Sequence, residues 1–137
     1  PSISFCLINS CKVSISLLFA KDNICCQGEI ISYSDKSLKK NITKLDSKSC
    51  ETFINNLNPV TYVLKSSDAT NLGFIAQEVE EAVQNSNLPK ESLTSVDEEG
   101  LMTLKYQELI APLIKCVQEQ IQTIKNLQNR IEILEKK

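Results

Sequence analysis

The chain has 137 residues, a net charge of −2 and no histidine. That length holds one domain, or a small domain with an appendage, and only a modest core. The near-neutral charge argues against a nucleic-acid surface. The absence of histidine excludes Ser-His and Cys-His catalytic pairs and imidazole-built zinc sites, so any base must come from Lys, Asp, Glu or Tyr.

The first residue is Pro1, which suggests a piece of a longer polypeptide. Ile3 to Ala20 is apolar but interrupted by Ser2, Ser4, Asn9, Ser10, Lys12, Ser14 and Ser16 in and around it, a poor transmembrane span with no basic leader before it. Val13, Ile15 and Leu17 alternate with serines, the period of a strand. Residues 1–33 therefore read as strands, with a turn at Lys21-Asp22-Asn23 and a last short strand over Glu29 to Tyr33. The six cysteines are Cys6, Cys11, Cys25, Cys26, Cys50 and Cys116. They contain no C-x-x-C pair and no disulfide-framework spacing, and read as reduced thiols that behave as small apolar side chains. No metal or cofactor is expected.

Composition shifts at Ser34, and Asp35 to Lys48 is a lysine-rich connector anchored by Leu38, Ile42 and Leu45. Ser47 to Leu57 reads as a helix with Cys50, Phe53, Ile54 and Leu57 on one face, capped by Asp46 or Ser47 and stopped by Asn58-Pro59. Val60 to Leu64 is strand-like, and Ser66 to Asn71 reads as a polar loop. A second helix is expected over about Ile75 to Gln84, with Ile75, Val79, Ala82 and Val83 as its apolar stripe. Leu93 to Val96 and Leu101 to Leu104 look like two strands joined by a turn at Asp97-Glu98-Glu99-Gly100.

Tyr106 to Lys137 carries the clearest helical pattern. Heptad position a falls on Ile110, Val117, Ile124 and Ile131, and position d on Leu113, Gln120, Leu127 and Leu134. Pro112 sits in the first turns, where a missing N–H does little harm. A stripe this long calls for burial by copies of the chain or by a long helix elsewhere in a parent protein, the plainer alternative being a helix that lies across its own domain. The a and d residue types do not fix the number of strands: β-branched a with Leu d leans to two, and Gln120 blurs the rule.

Chemistry, if any, sits at the composition break: Ser34-Asp35-Lys36-Ser37-Leu38-Lys39. A serine attacks only when a base takes its proton, and lysine serves as that base when burial or neighbouring positive charge disfavours its charged form. Lys36 and Lys40 flank Lys39 and act in that direction. Asp35 acts against it unless its carboxylate points elsewhere, and is the candidate orienting group. A serine near lysines is by itself ordinary surface.

The order of motifs is not ordinary. Ser34-Asp35-x-x-Leu38-Lys39-x-Asn41-Ile42 is followed by Leu57-Asn58-Pro59-Val60-x-Tyr62 and by Gly73-Phe74-Ile75-Ala76-Gln77-Glu78-Val79. Tyr106 then leads through Leu109-Ile110-Ala111-x-Leu113-Ile114 into the heptads. This succession resembles the intramolecular chaperone domain of endosialidase tail spikes, which also occurs at the ends of phage and giant-virus fibre proteins and in transcription factors of the myelin regulatory factor type. The resemblance covers Gly28 to the C-terminus, roughly four fifths of the chain.

The resemblance implies a domain that trimerises and folds the fibre before it and then cuts itself off, with Ser34 as nucleophile and Lys39 as general base. It implies the chain itself, as a homotrimer, and the upstream stem as partners; charge and hydropathy already argue against nucleic acid or membrane bound by this fragment. It implies a virion or host-cell cytoplasmic setting if the parent is viral. One departure stands out: relatives commonly carry arginine where this chain has Ser37, so an ion-pair partner is lost. Ring size favours the Tyr33–Ser34 bond as the cleavage point, with Ser34–Asp35 as runner-up.

The expected architecture is α+β and mainly helical after residue 46. Residues 1–33 form a β-rich stem end, 34–105 the self-cleaving body, and 106–137 a trimeric coiled coil. The competing readings are a trimerisation module that does not cleave and a coiled-coil adaptor for another protein. An enzyme acting on outside substrates is disfavoured, since few residues remain to build a separate pocket.

Overall fold

In the computed structural model, residues 32–136 are described. The strands expected over residues 1–31 and four of the cysteines, Cys6, Cys11, Cys25 and Cys26, lie outside them. Ser32 and Tyr33, the end of the last expected strand, carry no regular structure. The chain divides into two units, with the boundary between Asn41 and Ile42.

The described part of the first unit is short and exposed throughout. Its one regular feature is a 3-10 turn, Lys36–Leu38, in the stretch expected to be a connector. The turn closes through Leu38 N donating to Asp35 O at 3.2 Å and Lys39 N donating to Lys36 O at 3.1 Å.

The second unit begins its regular structure at helix α1, Ser47–Asn55. Asp46 is its N-cap: the carboxylate accepts from Ser49 N at 2.8 Å and from the Ser49 hydroxyl at 2.9 Å. These bonds satisfy donors left orphaned at a helix start and hold the Asp46 carboxyl below its usual range, the Ser49 backbone bond contributing most. The helix ends at Asn55, two residues before the expected Leu57, and so stops short of Pro59, as the proline requires.

Strand β1, Val60–Val63, forms as the β-branched run predicts. Its partner is a correction to the sequence reading. Part of the expected loop, with the residues after it, is strand β2, Thr70–Gly73, antiparallel to β1 with Val60 opposite Gly73 and Val63 opposite Thr70. A polar edge strand has no apolar alternation to betray it; only backbone pairing with β1 defines it.

Helix α2, Ala76–Ser86, begins one residue later and ends two residues further on than expected. Ile75 therefore sits before the helix, 40% exposed, rather than on its buried stripe. Val79, Ala82 and Val83 are buried as expected, and Asn87 closes the helix in the left-handed region at φ 59°. Asparagine tolerates that conformation where most residues do not.

The expected hairpin is present. Strands β3, Thr94–Val96, and β4, Met102–Leu104, pair antiparallel with Ser95 opposite Thr103. The turn is organised by Asp97, whose carboxylate accepts from Glu99 N at 3.0 Å and Leu101 N at 2.8 Å. Gly100 takes φ 82°, where a side chain would be strained. A 3-10 turn at Tyr106–Leu109 then leads into helix α3, Ile110–Glu135, 26 residues long. The fold is thus α+β, with two short antiparallel hairpins and a long C-terminal helix.

One core holds the second unit together. Cys50 and Phe53 of α1, Val79, Ala82 and Val83 of α2, and Leu88, Leu93 and Leu109 form a buried cluster. Ile54, Leu57, Phe74, Leu104 and Cys116 pack against it. Phe53 is fully buried, and burying a side chain of that size contributes about 1.5–3 kcal/mol. Cys50 and Cys116 are free thiols, and burial pushes both away from the thiolate form, consistent with a packing role.

A second tie joins the β1–β2 hairpin to the foot of α3. Phe74 N donates to the Tyr106 hydroxyl at 3.3 Å, and the two rings lie 6.3 Å apart at 40°. Gly73 permits this approach, because a Cβ there would overlap the Tyr106 hydroxyl and stand 3.1 Å from the Tyr62 ring.

Phe53→Ala removes the largest side chain of the core and is expected to cost about 3–5 kcal/mol, read as a lower melting temperature. Gly73→Ala is expected to displace the Tyr106 hydroxyl and cost about 1 kcal/mol, the value of the lost hydrogen bond. Tyr106→Phe should cost a similar amount, and in a denaturation cycle the double variant should cost clearly less than the two single losses added together.

Candidate functional site

The six residues singled out at the composition break lie in the first unit, and their geometry is set locally. The single 3-10 turn of Lys36–Leu38 folds the backbone enough for Lys39 to reach back over it. Lys39 Nζ donates to Ser34 Oγ at 2.6 Å. The expected nucleophile and base are therefore in direct contact, within the range that proton transfer requires. Both side chains, and every neighbour from Ser32 to Asn41, are exposed.

Asp35 does not join that pair. Its Oδ1 accepts from Ser37 N at 2.7 Å and, over a very short contact, from the Ser37 hydroxyl. The bond to the Ser37 hydroxyl, and after it the bond to the Ser37 amide, hold the Asp35 carboxyl below its usual range. Among the described residues Asp35 forms no ion pair; the ion pair present there joins Lys115 and Glu119 at 2.9 Å. The carboxylate caps the turn rather than touching Lys39. Sequence reasoning singled out Asp35 as an orienting group and Ser37 as a departure and as the next serine to examine, without pairing the two. The Asp-x-Ser spacing, an N-cap signature, was the available signal for their contact.

The second candidate feature is the stripe on α3. Only the foot of the helix is covered: Pro112 is buried, Lys115 and Cys116 are half-buried, and every residue from 117 to 136 is exposed. The apolar heptad positions range from 44% exposed at Leu113 to 67% at Leu134. Ile114 and Ile121 are exposed beside them and widen the apolar face. Gln120, the polar d position, and Ile124 also border an open groove of about 510 Å³ between α1 and α3. In that groove Glu119 of α3 accepts from Lys115 at 2.9 Å and from the Ser47 hydroxyl of α1 at 2.7 Å, which draws its carboxyl below the usual range. No helix among the described residues is long and apolar enough to cross a membrane.

Residues 34–93 match the model of a peptidase family described as the chaperone of endosialidase. The match bears out the resemblance read from the sequence and supports an intramolecular-chaperone role. It begins at Ser34 and takes in Lys39, α1, the β1–β2 hairpin and α2; α3 lies beyond it. The family's peptidase designation points to self-cleavage. No curated protein matches the chain.

Proposed function

Proceeding from the match of residues 34–93 to the endosialidase-chaperone family, we propose that this chain assembles as a homotrimer through α3, folds a fibre-like segment upstream of it, and then releases itself by a single Ser34–Lys39 cleavage. The observation that carries this reading is the 2.6 Å contact between Lys39 Nζ and Ser34 Oγ at the start of the matched segment.

The chemistry follows from ring size and proton balance. Ser34 Oγ attacking its own carbonyl closes a strained four-membered ring. Attack on the Tyr33 carbonyl closes a five-membered ring or comes from a neighbouring chain. Lys39, as the neutral amine, takes the hydroxyl proton as the Oγ–C bond forms. It then gives that proton to the Ser34 nitrogen as the Tyr33–Ser34 C–N bond breaks. The product is an ester between the Tyr33 acyl group and Ser34 Oγ. Water hydrolyses it, freeing the Tyr33 carboxylate and restoring the Ser34 hydroxyl. The same contact serves both states, since Nζ donates to Oγ as the ammonium and accepts from it as the amine.

An amine leaves its charged form more readily as water is withdrawn. In one chain the pair is exposed. Assembly that dries the pair would therefore switch the base on, and cutting would report completed folding. Once the chaperone has left, the fibre would be held by a kinetic barrier rather than by equilibrium stability.

Assembly itself is supported by the uncovered stripe. Each Ile or Leu moved from water into a seam contributes about 1.5–3 kcal/mol. An isolated helix end with no tertiary cover is marginal in water.

Expression of the wild type beside Ser34→Ala and Lys39→Ala, with fragment masses and N-termini read out, tests the cleavage. The wild type should yield a fragment beginning at Ser34, and both variants should stay whole. A cut Ser34→Ala chain would remove Ser34 from its role. Assembly is tested by sedimentation: Ile124→Asp with Leu127→Asp places charges in the seam, a cost of several kcal/mol, and should leave monomer only. A double variant that stays trimeric rules the seam out.

A further inference from the structure

We propose that Asp35 is a positioning residue for the cleavage, acting as a hydrogen-bond clamp on Ser37 and not through its charge on Lys39. The inference rests on the Ser34–Lys39 reading above and adds what holds the pair together.

Four observations carry it. Asp35 Oδ1 is engaged twice by Ser37, through N–H at 2.7 Å and through the hydroxyl. Asp35 itself is in extended backbone, φ −61° and ψ 140°, the conformation of a capping residue, and its carbonyl accepts from Leu38 N at 3.2 Å. The turn so closed spans Lys36–Leu38, all of the chain between Asp35 and Lys39. Lys39 Nζ reaches Ser34 Oγ across it at 2.6 Å. Ser34 and Lys39 are five positions apart, too far for two neighbouring side chains of an extended strand to meet, since each residue advances about 3.3 Å. The turn is the means of contact, and the Asp35 carboxylate is the side-chain group that caps it.

Ser37 gains a role from the same geometry. It stands where the resemblance leads one to expect arginine, and its N–H and hydroxyl both donate to the Asp35 carboxylate. The partners of Asp35 are thus a neutral hydroxyl and an amide, not a cation. The clamp therefore needs an acceptor at position 35, and the negative charge is dispensable.

That distinction sets the experiment. The full chain is made in a cell-free translation, synthesis is stopped, and the rate of fragment release is followed over a pH series. Wild type, Ser34→Ala, Asp35→Asn and Asp35→Ala are compared. Asparagine keeps a side-chain oxygen able to cap Ser37 N–H, whereas alanine keeps none. Asp35→Ala should release fragment about tenfold more slowly at every pH, the size of effect expected for a lost cap, with the midpoint of the pH profile unmoved. Asp35→Asn should cut at close to the wild-type rate.

If instead the carboxylate acted by charge on Lys39, removing that charge would favour the neutral amine. Both variants would then shift the profile to lower pH. A shifted profile, an Asp35→Asn as slow as Asp35→Ala, or an Asp35→Ala as fast as wild type overturns the clamp while leaving the Ser34–Lys39 reading in place, provided wild type is cut and Ser34→Ala is not. A wild type that stays whole, or a Ser34→Ala that is cut, overturns the underlying reading and the clamp's role with it.

Discussion

The burial of Phe53 is the constraint on which the second unit depends. A domain this small has one place to hide an aromatic ring, and it does so where α1, α2 and the residues leading into α3 converge. Cys50 on the preceding turn of α1 and Val79 and Val83 on α2 are each 1% exposed or less, so the two helices meet face to face around that ring. Leu93 and Leu109 close the remaining sides, one just before β3 and one at the foot of α3. The hairpins are not independent objects either. Two-stranded sheets are marginal in water, and both hairpins here are tied to something larger: β3 and β4 lie against α2, and β1–β2 is fastened through Phe74 N to Tyr106.

This arrangement spends all of its apolar packing at one end of α3. The core reaches Leu109, Pro112 and Cys116 and then stops, and the residues from 117 onward carry their isoleucines and leucines in the open. A helix of ordinary amphipathic design turns its stripe to its own domain. Here the stripe runs on past the domain that could cover it, and Ile114 and Ile121 broaden it on one side. The physical consequence is an imbalance that nothing among the described residues resolves. On the proposed reading, further copies of the chain resolve it.

Much of this was legible in the sequence because the signals were periodic or local. Cys50, Phe53, Ile54 and Leu57 announced α1 by their spacing, and Asp46 supplied its cap. Val79, Ala82 and Val83 announced α2, and the heptads announced α3. What escaped was non-periodic. Thr70 and Asn71 are polar residues in a strand that exists only because β1 offers it a ladder, and no pattern within 66–73 encodes that pairing. Ile75 was assigned to a buried stripe by period alone, but the helix starts after it and its side chain lies half in solvent. The approach of Tyr106 to Gly73 joins residues far apart in sequence, and a glycine in a strand hints at a close neighbour without naming it. The contact between Ser34 and Lys39 was expected from motif order, whereas the Asp35–Ser37 contact was not, since Ser37 was never weighed as a partner of Asp35.

On the proposed reading, the separation between what is local and what is assembled bears on how the chain would time its cleavage. The Ser34–Lys39 contact needs six consecutive residues and one helical turn, so it is available as soon as that segment is made. Geometry alone is therefore a poor safeguard against premature cutting. What an exposed pair lacks is the low-dielectric setting in which a lysine gives up its charge. If association through α3 is what withdraws water, then the slow and concentration-dependent step governs the chemistry, and the fast local step only prepares it. Under that proposal the nucleophile and its base are built to be ready early and idle, and the length of the helix beyond the core sets when they act.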